Sequence, residues 1–464
     1  MASTTHTNQD TGAYSVEDLQ EQLLRSDQVL ARLPNSYQRL AETLPLFENS
    51  VSISRDDNDL TLPGRIKAVL ENAESWGLFL HPRRLRAAGA LKFPVGDPNH
   101  CSPALIQTMA FVGQFILFHK PMMALHDDAL LHTACTMASP KNWVPVYLDL
   151  IQAYVLLAHF FIAAGDLNSA SYQVSQARFI VVAARLNAIP SVTEPNWNLP
   201  TKVPGTDYLF PPPADLEQQQ ERINAFWAVF NLVGILNVLV PEIPLSLGDI
   251  DQITTPWPGT TDKTGYALGA FVNGAPFPTH APYLKTTAAF QTRAAAILHQ
   301  VVKFSTIMLH RPSQDTATVR LHSNTVALIN DFRRDWTALA MSTNTDGTSI
   351  ALGSIALSAA VCHLAHIMLV RLSVSRDANL MNLYMNIVQE LLQLADAYVD
   401  ALNTNNQLLC TTNSLFPAIL EAVCATFKHD ATSFNQPVVN ALIAHGMRIV
   451  ELFSFATYAH LEGP

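Results

Sequence analysis

The feature that most limits how this chain can fold is an uncharged apolar stretch that runs straight into a proline-rich segment. Residues 225–240 read AFWAVFNLVGILNVLV, and Pro241–Pro258 follows at once and ends on TPWP. The stretch is shorter than the about 20 residues that a membrane span needs, and it contains Asn231 and Asn237. It therefore predicts a buried helix, followed by a segment whose path across the surface is fixed by proline.

This predicted helix, called the central helix below, carries aromatic or branched apolar side chains on every side. Phe226, Trp227 and Phe230 are examples, and a helix that is apolar all round belongs in a core. We expect Glu221 and Arg222, at its start, to stay solvated. The interpretation is structural: the helix holds a bundle together, and regulation takes place elsewhere.

A second apolar stretch, Ile355–Leu372, is also long enough to raise the question of a membrane span. It contains Ser358, His363, His366 and Arg371, which are costly in lipid. We interpret it as another buried helix of a soluble core, so no membrane partner is expected.

Helical periodicity dominates the rest of the chain. Apolar residues recur at spacings of three and four, and sustained alternation with period two is absent. The charged share is only 14%, against about 25% in typical domains, which fits much buried surface and argues against disorder. The fold class predicted is all-α: a large multi-helix bundle of helical hairpins with Pro-rich connecting loops. The clearest predicted helices are Ser102–His119, Trp143–Gly165, Asn168–Leu186, Ala289–His310, Thr325–Ala340, Ala378–Leu402 and Asn435–His460.

The chain divides into a polar N-terminal part and one large helical domain. Residues 1–60 are predicted to form a disordered tail, a short amphipathic helix over Ser15–Leu33 and a polar linker, and residues 61–464 form the domain. The heptad pattern of the short helix is broken at Ser26. Whether this helix packs on its own domain or dimerises is left open, so a homodimer stays an alternative.

One predicted hairpin is joined by GDLN at residues 165–168. Gly165 suits the position after a helix end, and Asn168 is placed to cap the next helix. Ala170 and Ala177 would let the two helices approach closely. The hairpin resembles a tetratricopeptide unit, but no regular 34-residue period surrounds it, so a repeat array is not predicted.

Charge and cysteine usage exclude several classes of function. The formal net charge is -10, which repels a phosphate backbone, so no direct nucleic-acid binding is expected. The basic cluster HPRRLR, His81–Arg86, is interpreted as a solvated helix start rather than a nuclear-import signal. The cysteines form no C-x-x-C pair, which predicts buried thiols in a reducing compartment. They are Cys101, Cys135, Cys362, Cys410 and Cys424.

Histidines give no convincing metal site. His363 and His366 lie three residues apart on an apolar helix, and His126, Asp127 and His132 cluster near a loop. Neither set has the H-E-x-x-H pattern or a third ligand. We expect hydrogen-bonded core histidines and predict no metal ligand.

Catalytic motifs are equally absent. The sequence has no G-x-S-x-G elbow, no P-loop and no G-x-G-x-x-G motif. A triad of residues distant in sequence stays open. Asp249 and Asp251, in a proline-flanked loop, are interpreted as turn and capping residues rather than paired carboxylates. The prediction is that the chain is not an enzyme, with no catalytic residues, no cofactor and cofactor-binding residues unassigned.

Five segments in order carry a family resemblance. ERINAFWAVFNL at 221–232 followed by DIDQITTPWP at 249–258 resembles the hallmark block of the fungal-specific transcription factor domain. This domain is the middle homology region of the zinc-cluster regulators, and the basidiomycete type is most similar. The resemblance covers roughly residues 65–260. The other similar segments lie at residues 77–91, 96–115, 153–189 and 209–227.

The resemblance implies a nuclear regulatory domain that binds a small effector or a protein partner and modulates transcription. Implied partners are the transcription machinery or a zinc-cluster paralogue. Two departures limit the transfer. The first cysteine is Cys101, so the six-cysteine cluster is absent, and with it the family's zinc and its direct DNA reader. Val233 and Gly234 stand where relatives commonly carry an Asp-basic pair. The alternatives are a helical scaffold or, less favoured, an all-α enzyme.

Overall fold

The computed structural model describes most of the predicted helical domain. Helices make up 83% of the residues that it describes, which confirms the all-α prediction. The strands β1 (Thr201–Lys202) and β2 (Leu209–Phe210) form one short antiparallel pair, with Thr201 opposite Phe210. The residues described are 62–89, 101–118, 146–189, 201–202, 209–248, 250–258, 268–274, 286–310, 316–343, 349–374, 378–404, 415–430 and 436–455.

Thirteen α-helices lie within these residues, in two groups on either side of one long helix. The N-terminal group is α1 (Leu62–Glu71), α2 (Pro82–Gly89), α3 (Pro103–Phe118), α4 (Tyr147–Ala163) and α5 (Leu167–Ala183). The long helix is α6 (Leu216–Leu239), which contains the predicted central helix. The C-terminal group is α7 (Leu268–Val272), α8 (Thr287–His310), α9 (Thr316–Thr343), α10 (Ser349–Val374), α11 (Ala378–Thr404), α12 (Leu415–Asp430) and α13 (Gln436–Phe455).

Predicted and observed helices agree well, with four differences. α1, α7 and α12 were not predicted as helices of their own, and α9 begins at Thr316 rather than Thr325. Most residues in the first turn of α9 are exposed, Val319 among them. Apolar residues therefore do not recur at helical spacing there, and the sequence pattern does not show where the helix begins. Several predictions fall outside the described residues. These are the amphipathic helix Ser15–Leu33, the cluster His126, Asp127 and His132, and the thiols of Cys135 and Cys410.

The α4–α5 hairpin forms as predicted, except for its cap. Gly165 has a φ of 76°, the left-handed conformation that glycine adopts without strain. Ala170 and Ala177 are fully buried, so the two helices pack closely. The cap of α5 is Asp166 rather than Asn168: its carboxylate accepts a hydrogen bond from the Ser169 amide at 3.0 Å. The prediction of Asn168 was wrong because α5 begins at Leu167, so the capping residue is Asp166, two residues before the predicted one.

The long helix α6 joins the two groups. It begins at the cap Asp215, whose carboxylate accepts from the Gln218 amide at 2.8 Å. It then packs against α4 and α5 of the N-terminal group and against α8 and α12 of the C-terminal group. Its apolar residues, including Phe226, Phe230 and Leu236, are buried. The prediction of a buried helix at the centre of a bundle is confirmed.

The segment after α6 was expected to cross the surface, and its second half does not. Trp257 and Thr255 are almost wholly buried. The Thr255 hydroxyl donates to the Leu186 carbonyl, and the Thr254 amide donates to the Asn187 carbonyl at 3.1 Å. Ile253, Thr255 and Trp257 lie at alternate positions and are buried, which draws the segment into the core. The carbonyls of the neighbouring loop accept the hydrogen bonds that this buried segment donates.

Trp227 fixes this segment to α6. Its indole N–H donates to the Pro256 carbonyl at 2.6 Å, and its ring stacks on that of Trp257 with centroids 5.5 Å apart. Trp257 in turn meets Phe271 of α7 edge to face. One side chain therefore connects α6, the proline-rich segment and the start of the C-terminal group.

Two of the described helices are long and apolar enough to cross a membrane by length and composition. In α6 and in residues 353–372 of α10, respectively 61% and 83% of the most apolar window is buried inside the fold. Core helices pass the same test, so these two helices are weak evidence for a membrane location.

We predict that Trp227→Ala destabilises the protein by about 3–5 kcal/mol, because it opens a large cavity and removes the bond to Pro256. Trp227→Phe keeps an aromatic ring but loses the donor and should cost less, about 1–3 kcal/mol. Urea unfolding followed by circular dichroism measures both. A loss below about 1 kcal/mol for Trp227→Ala would show that this contact does not hold the core together.

Candidate functional site

A cavity of about 540 Å³ lies along one side of α6. This volume is within the range of small-molecule sites, which occur preferentially between the helices of bundles. α6 lines the cavity from Leu216 to Ile235, at helical spacing. Residues 74–81 and α4 close it on the N-terminal side, and α8, α10 and Leu415 of α12 on the C-terminal side. The cavity therefore lies where the two helix groups meet.

Polarity changes along the cavity. One end, called the mouth below, is formed by the exposed residues Glu74, Leu216, Glu217 and Ala288. The other end, called the floor, is formed by buried side chains, most of them apolar. The floor residues used below are Val155, Trp227, Thr292, Ala295 and Leu357. No lysine or arginine lines this cavity in the described part of the chain.

Two polar atoms at the floor have no hydrogen-bond partner in the protein. They are the Thr292 hydroxyl on α8, which is fully buried, and the side-chain oxygen of Asn231 on α6. Leaving a buried polar group unpaired costs about 1–3 kcal/mol. Both residues line the cavity, but each of these two atoms is covered by neighbouring protein atoms, so a ligand in the cavity does not reach either of them.

A buried ion network stands beside the cavity. Arg84 contacts Asp149 at 2.5 Å and Glu221 at 3.2 Å. The Ser102 amide donates to Asp149, also at 2.5 Å, and the His81 amide donates to Glu221 at 2.8 Å. Burial raises the pKa of Asp149, while the guanidinium and the Ser102 amide oppose the shift. The network ties α2 and α4 to the first turns of α6.

This network corrects two expectations. Glu221 is buried, not solvated, and Arg222 is half-buried and donates to the Pro211 carbonyl at 2.6 Å. The basic cluster is not wholly a solvated helix start either, because Arg84 turns inward while Arg83 stays exposed. The errors share one cause: a charged side chain at a helix start is usually exposed, and only distant partners such as Asp149 make its burial tolerable.

The wall at residues 77–81 is held by Gln152 of α4. Its side-chain oxygen accepts from the Phe79 amide at 2.8 Å, and its nitrogen donates to the Gly77 carbonyl at 3.2 Å. Gly77 has a φ of 64°, and a Cβ there would lie 2.8 Å from Nε2 of His159. The chain can therefore pass this close to His159 only with glycine at position 77.

Two titratable residues of the cavity have shifted pKa values. Burial raises the pKa of Glu74, although a hydrogen bond with Thr287 works in the opposite direction. Burial lowers the pKa of His159 to about 4, so its imidazole is neutral at pH 7. The cavity thus presents carboxylates at its mouth and a neutral ring in its wall.

The residues considered as metal or acid sites do not come together. His363 and His366 are buried on α10, as expected, but Nδ1 of each lacks a hydrogen-bond partner. The described residues contain no group of three or more potential metal ligands. Asp251 lies in a 3-10 turn, Ile250–Gln252, and Asp249 falls outside the described residues.

Gly234, one of the departures from the family pattern, has a packing role. A Cβ there would lie 3.0 Å from Nε2 of His299 on α8. That nitrogen is 3.1 Å from the Phe230 carbonyl and donates to it, because a carbonyl only accepts. The neighbouring Val233 is fully buried. Gly234 therefore allows the close approach of His299 to α6.

Sequence reasoning missed the cavity because its residues come from seven separate segments of the chain. One signal was available. The polar residues Gln220, Asn224 and Asn231 recur at spacings of four and seven, which places them on one side of α6, and the last two interrupt its apolar part. All three line the cavity. Such a stripe marks a face that does not pack in the core.

Comparison with known proteins finds no matching family model, no matching curated protein and no matching solved structure.

We predict that Thr292→Val stabilises the protein by about 1 kcal/mol, because it replaces an unpaired buried hydroxyl by a methyl group. Thr255→Val is the matched control. The Thr255 hydroxyl bonds the Leu186 carbonyl and the Ile189 amide, so its loss should cost about 1–3 kcal/mol. Thermal and urea unfolding measure both variants. Equal destabilisation by the two substitutions would contradict the claim that Thr292 is unpaired.

A second prediction concerns pH. Burial lowers the pKa of His363 to about 3 and that of His366 to about 4, against about 6.5 in an unfolded chain. Below about pH 6.5 the unfolded chain binds more protons, so the free energy of unfolding falls as pH falls. In a His363→Gln, His366→Gln double variant, the fall between pH 7 and pH 5 should be about 3 kcal/mol smaller than in the wild type. Urea titrations at both pH values measure it, and parallel curves would refute the burial of these rings.

Proposed function

We propose that this chain is a transcription-regulator-like protein whose helical domain binds a small effector and thereby modulates transcription. The observation that carries the proposal is the cavity of about 540 Å³ along α6, between the two helix groups. A cavity of this size favours binding over a purely structural role.

The position of the cavity suggests how binding could be transmitted. A ligand there touches α4 on one side and α8 and α10 on the other, so its binding energy depends on how the two helix groups are placed. A ligand that prefers one placement shifts the population towards it. Such a ligand regulates the protein if its affinity differs between the two placements of the helix groups. This proposal differs from the sequence interpretation, which put regulation away from α6.

The family resemblance supports the regulatory part of the proposal. The segments that carry the resemblance include the middle of α6 and the buried segment that contains Trp257. α6 forms one wall of the cavity, and Trp257 stacks on Trp227 of that helix. By that resemblance the protein works in the nucleus. Without a zinc cluster in its sequence, it would reach DNA through a zinc-cluster paralogue or another protein of the transcription machinery. A homodimer is compatible with this role.

Catalysis is the less favoured alternative. Glu74 and His159 do line a cavity and have shifted pKa values, as catalytic groups often do. A hydroxyl nucleophile needs a base beside it. The Ser358 hydroxyl donates to the Ser354 carbonyl, and Thr292 has no partner. Neither hydroxyl that lines the cavity is therefore activated.

A helical scaffold is the other alternative. An extended repeat array with an open groove would favour it. α6 instead packs against both helix groups, which gives a closed core around one helix and disfavours a scaffold of stacked repeats.

The proposal predicts a transcriptional effect that depends on the cavity. The full chain is fused to an unrelated DNA-binding module and tested on a reporter gene in fungal cells. We expect expression to change with the chain tethered, and we expect Ala228→Phe, which places a ring in the cavity, to alter that change by about threefold or more, as a shift of about 0.7 kcal/mol between two states would.

The matched control is Ala444→Phe, at an exposed position on α13, which should behave as the wild type. A tethered chain that leaves the reporter unchanged, with and without Ala228→Phe, would refute the proposed function. Circular dichroism of both purified variants checks that each is folded.

A further inference from the structure

The geometry points to an amphipathic amine as the ligand of this cavity: an apolar body carrying one protonated amino group. The body would lie against the floor beside Trp227, and the amino group would face Glu74 and Glu217 at the mouth. This inference rests on the proposed function, because it assumes that the cavity is an effector site, and it adds the chemical class of the effector.

The charge of the lining selects the amine. Glu74, Glu217 and Glu221 line the cavity, and among the described lining residues no lysine or arginine balances them. Glu221 is committed to Arg84 and to the His81 amide. Glu74 and Glu217 are therefore the carboxylates left for a ligand. An anionic ligand would meet like charge in the mouth, where a cation meets complementary charge.

The existing partners of these two carboxylates are weak. Glu217 lies 3.8 Å from Arg83 and 3.8 Å from His81, and long contacts between exposed side chains contribute little. Glu74 has a hydrogen bond with Thr287, yet burial still raises its pKa. A cation placed beside Glu74 would favour its ionised form, so ligand binding and ionisation of this carboxylate support each other.

The floor selects the other end of the ligand. Val155, Ala295, Leu357 and the ring of Trp227 offer an apolar surface, against which an apolar or aromatic body loses contact with water. This apolar floor is independent of the acidic mouth, so the cavity selects the body of the ligand as well as its charge.

Three probes that share one body separate charge from shape. Tryptamine, tryptophol and indole-3-propionate carry an ammonium, a hydroxyl and a carboxylate at the same end of an indole. Calorimetric titration of the full chain at neutral pH should give the tightest binding for tryptamine. We expect its Kd to be about tenfold below that of tryptophol and about a hundredfold below that of the carboxylate. The tryptamine advantage should shrink at about 1 M salt, since screening weakens charge pairing in the exposed mouth.

Substitutions in the chain test whether the preference for the amine comes from the mouth of the cavity and whether the probes bind inside it. A Glu74→Gln, Glu217→Gln double variant should bring the three affinities to within about threefold of one another. Glu71→Gln, at an exposed residue paired with Lys67 outside the cavity, is the matched control and should change nothing. Ala228→Phe, which fills part of the cavity, should weaken all three probes by a similar factor, about threefold to tenfold. A second series on a phenylbutyl body should show the same order of charges.

The outcomes separate this inference from the proposed function. Equal binding of the amine and the alcohol, or tightest binding of the carboxylate, overturns the amine inference and leaves an effector cavity in place. Failure of both series to bind also overturns it, while the reporter assay still decides the proposed function on its own. Amine-selective binding with a silent reporter upholds the inference and refutes the transcriptional role.

Discussion

The fold depends on one arrangement: Trp227 of α6 bonded to the Pro256 carbonyl and stacked on Trp257. α6 contacts both helix groups, so the contacts that fix α6 also fix the position of one group relative to the other. The indole does this from a fully desolvated position, where its N–H needs a partner and its ring contributes a large contact area. The Pro256 carbonyl supplies that partner, because an indole N–H only donates and therefore needs an acceptor.

The same helix both packs the core and lines a cavity, and the two tasks use different sides of it. Phe226, Phe230 and Leu236 are buried among neighbouring helices. Gln220, Asn224 and Asn231 follow another side, where the cavity runs. Gln220 donates to the side-chain oxygen of Asn224 at 2.9 Å, so these two amides satisfy each other on a side of α6 that the core does not pack. The fold therefore leaves this side of α6 available to the proposed ligand.

The buried charges around the cavity follow from tertiary contacts. Arg84, Asp149 and Glu221 come from three elements far apart in the chain, and each would be expensive to bury without the others. Together they hold α2 and α4 against the start of α6. Each residue examined singly in the sequence suggests a solvated surface. The expectation for Glu221 and Arg84 failed for this reason, and the cavity wall they support could not be anticipated.

Local pattern was sufficient for most of the helices, their order, the left-handed Gly165 and the burial of the uncharged helix, because helical periodicity and turn chemistry act over a few residues. Tertiary structure alone decided which side of α6 faces a cavity, that the Thr292 hydroxyl lies unpaired in the core, and that the segment ending on Trp257 runs inward. These outcomes depend on contacts between residues that are remote in the chain. No spacing rule in a single sequence reports such contacts, since pairing at long range is settled by the packing of the whole domain.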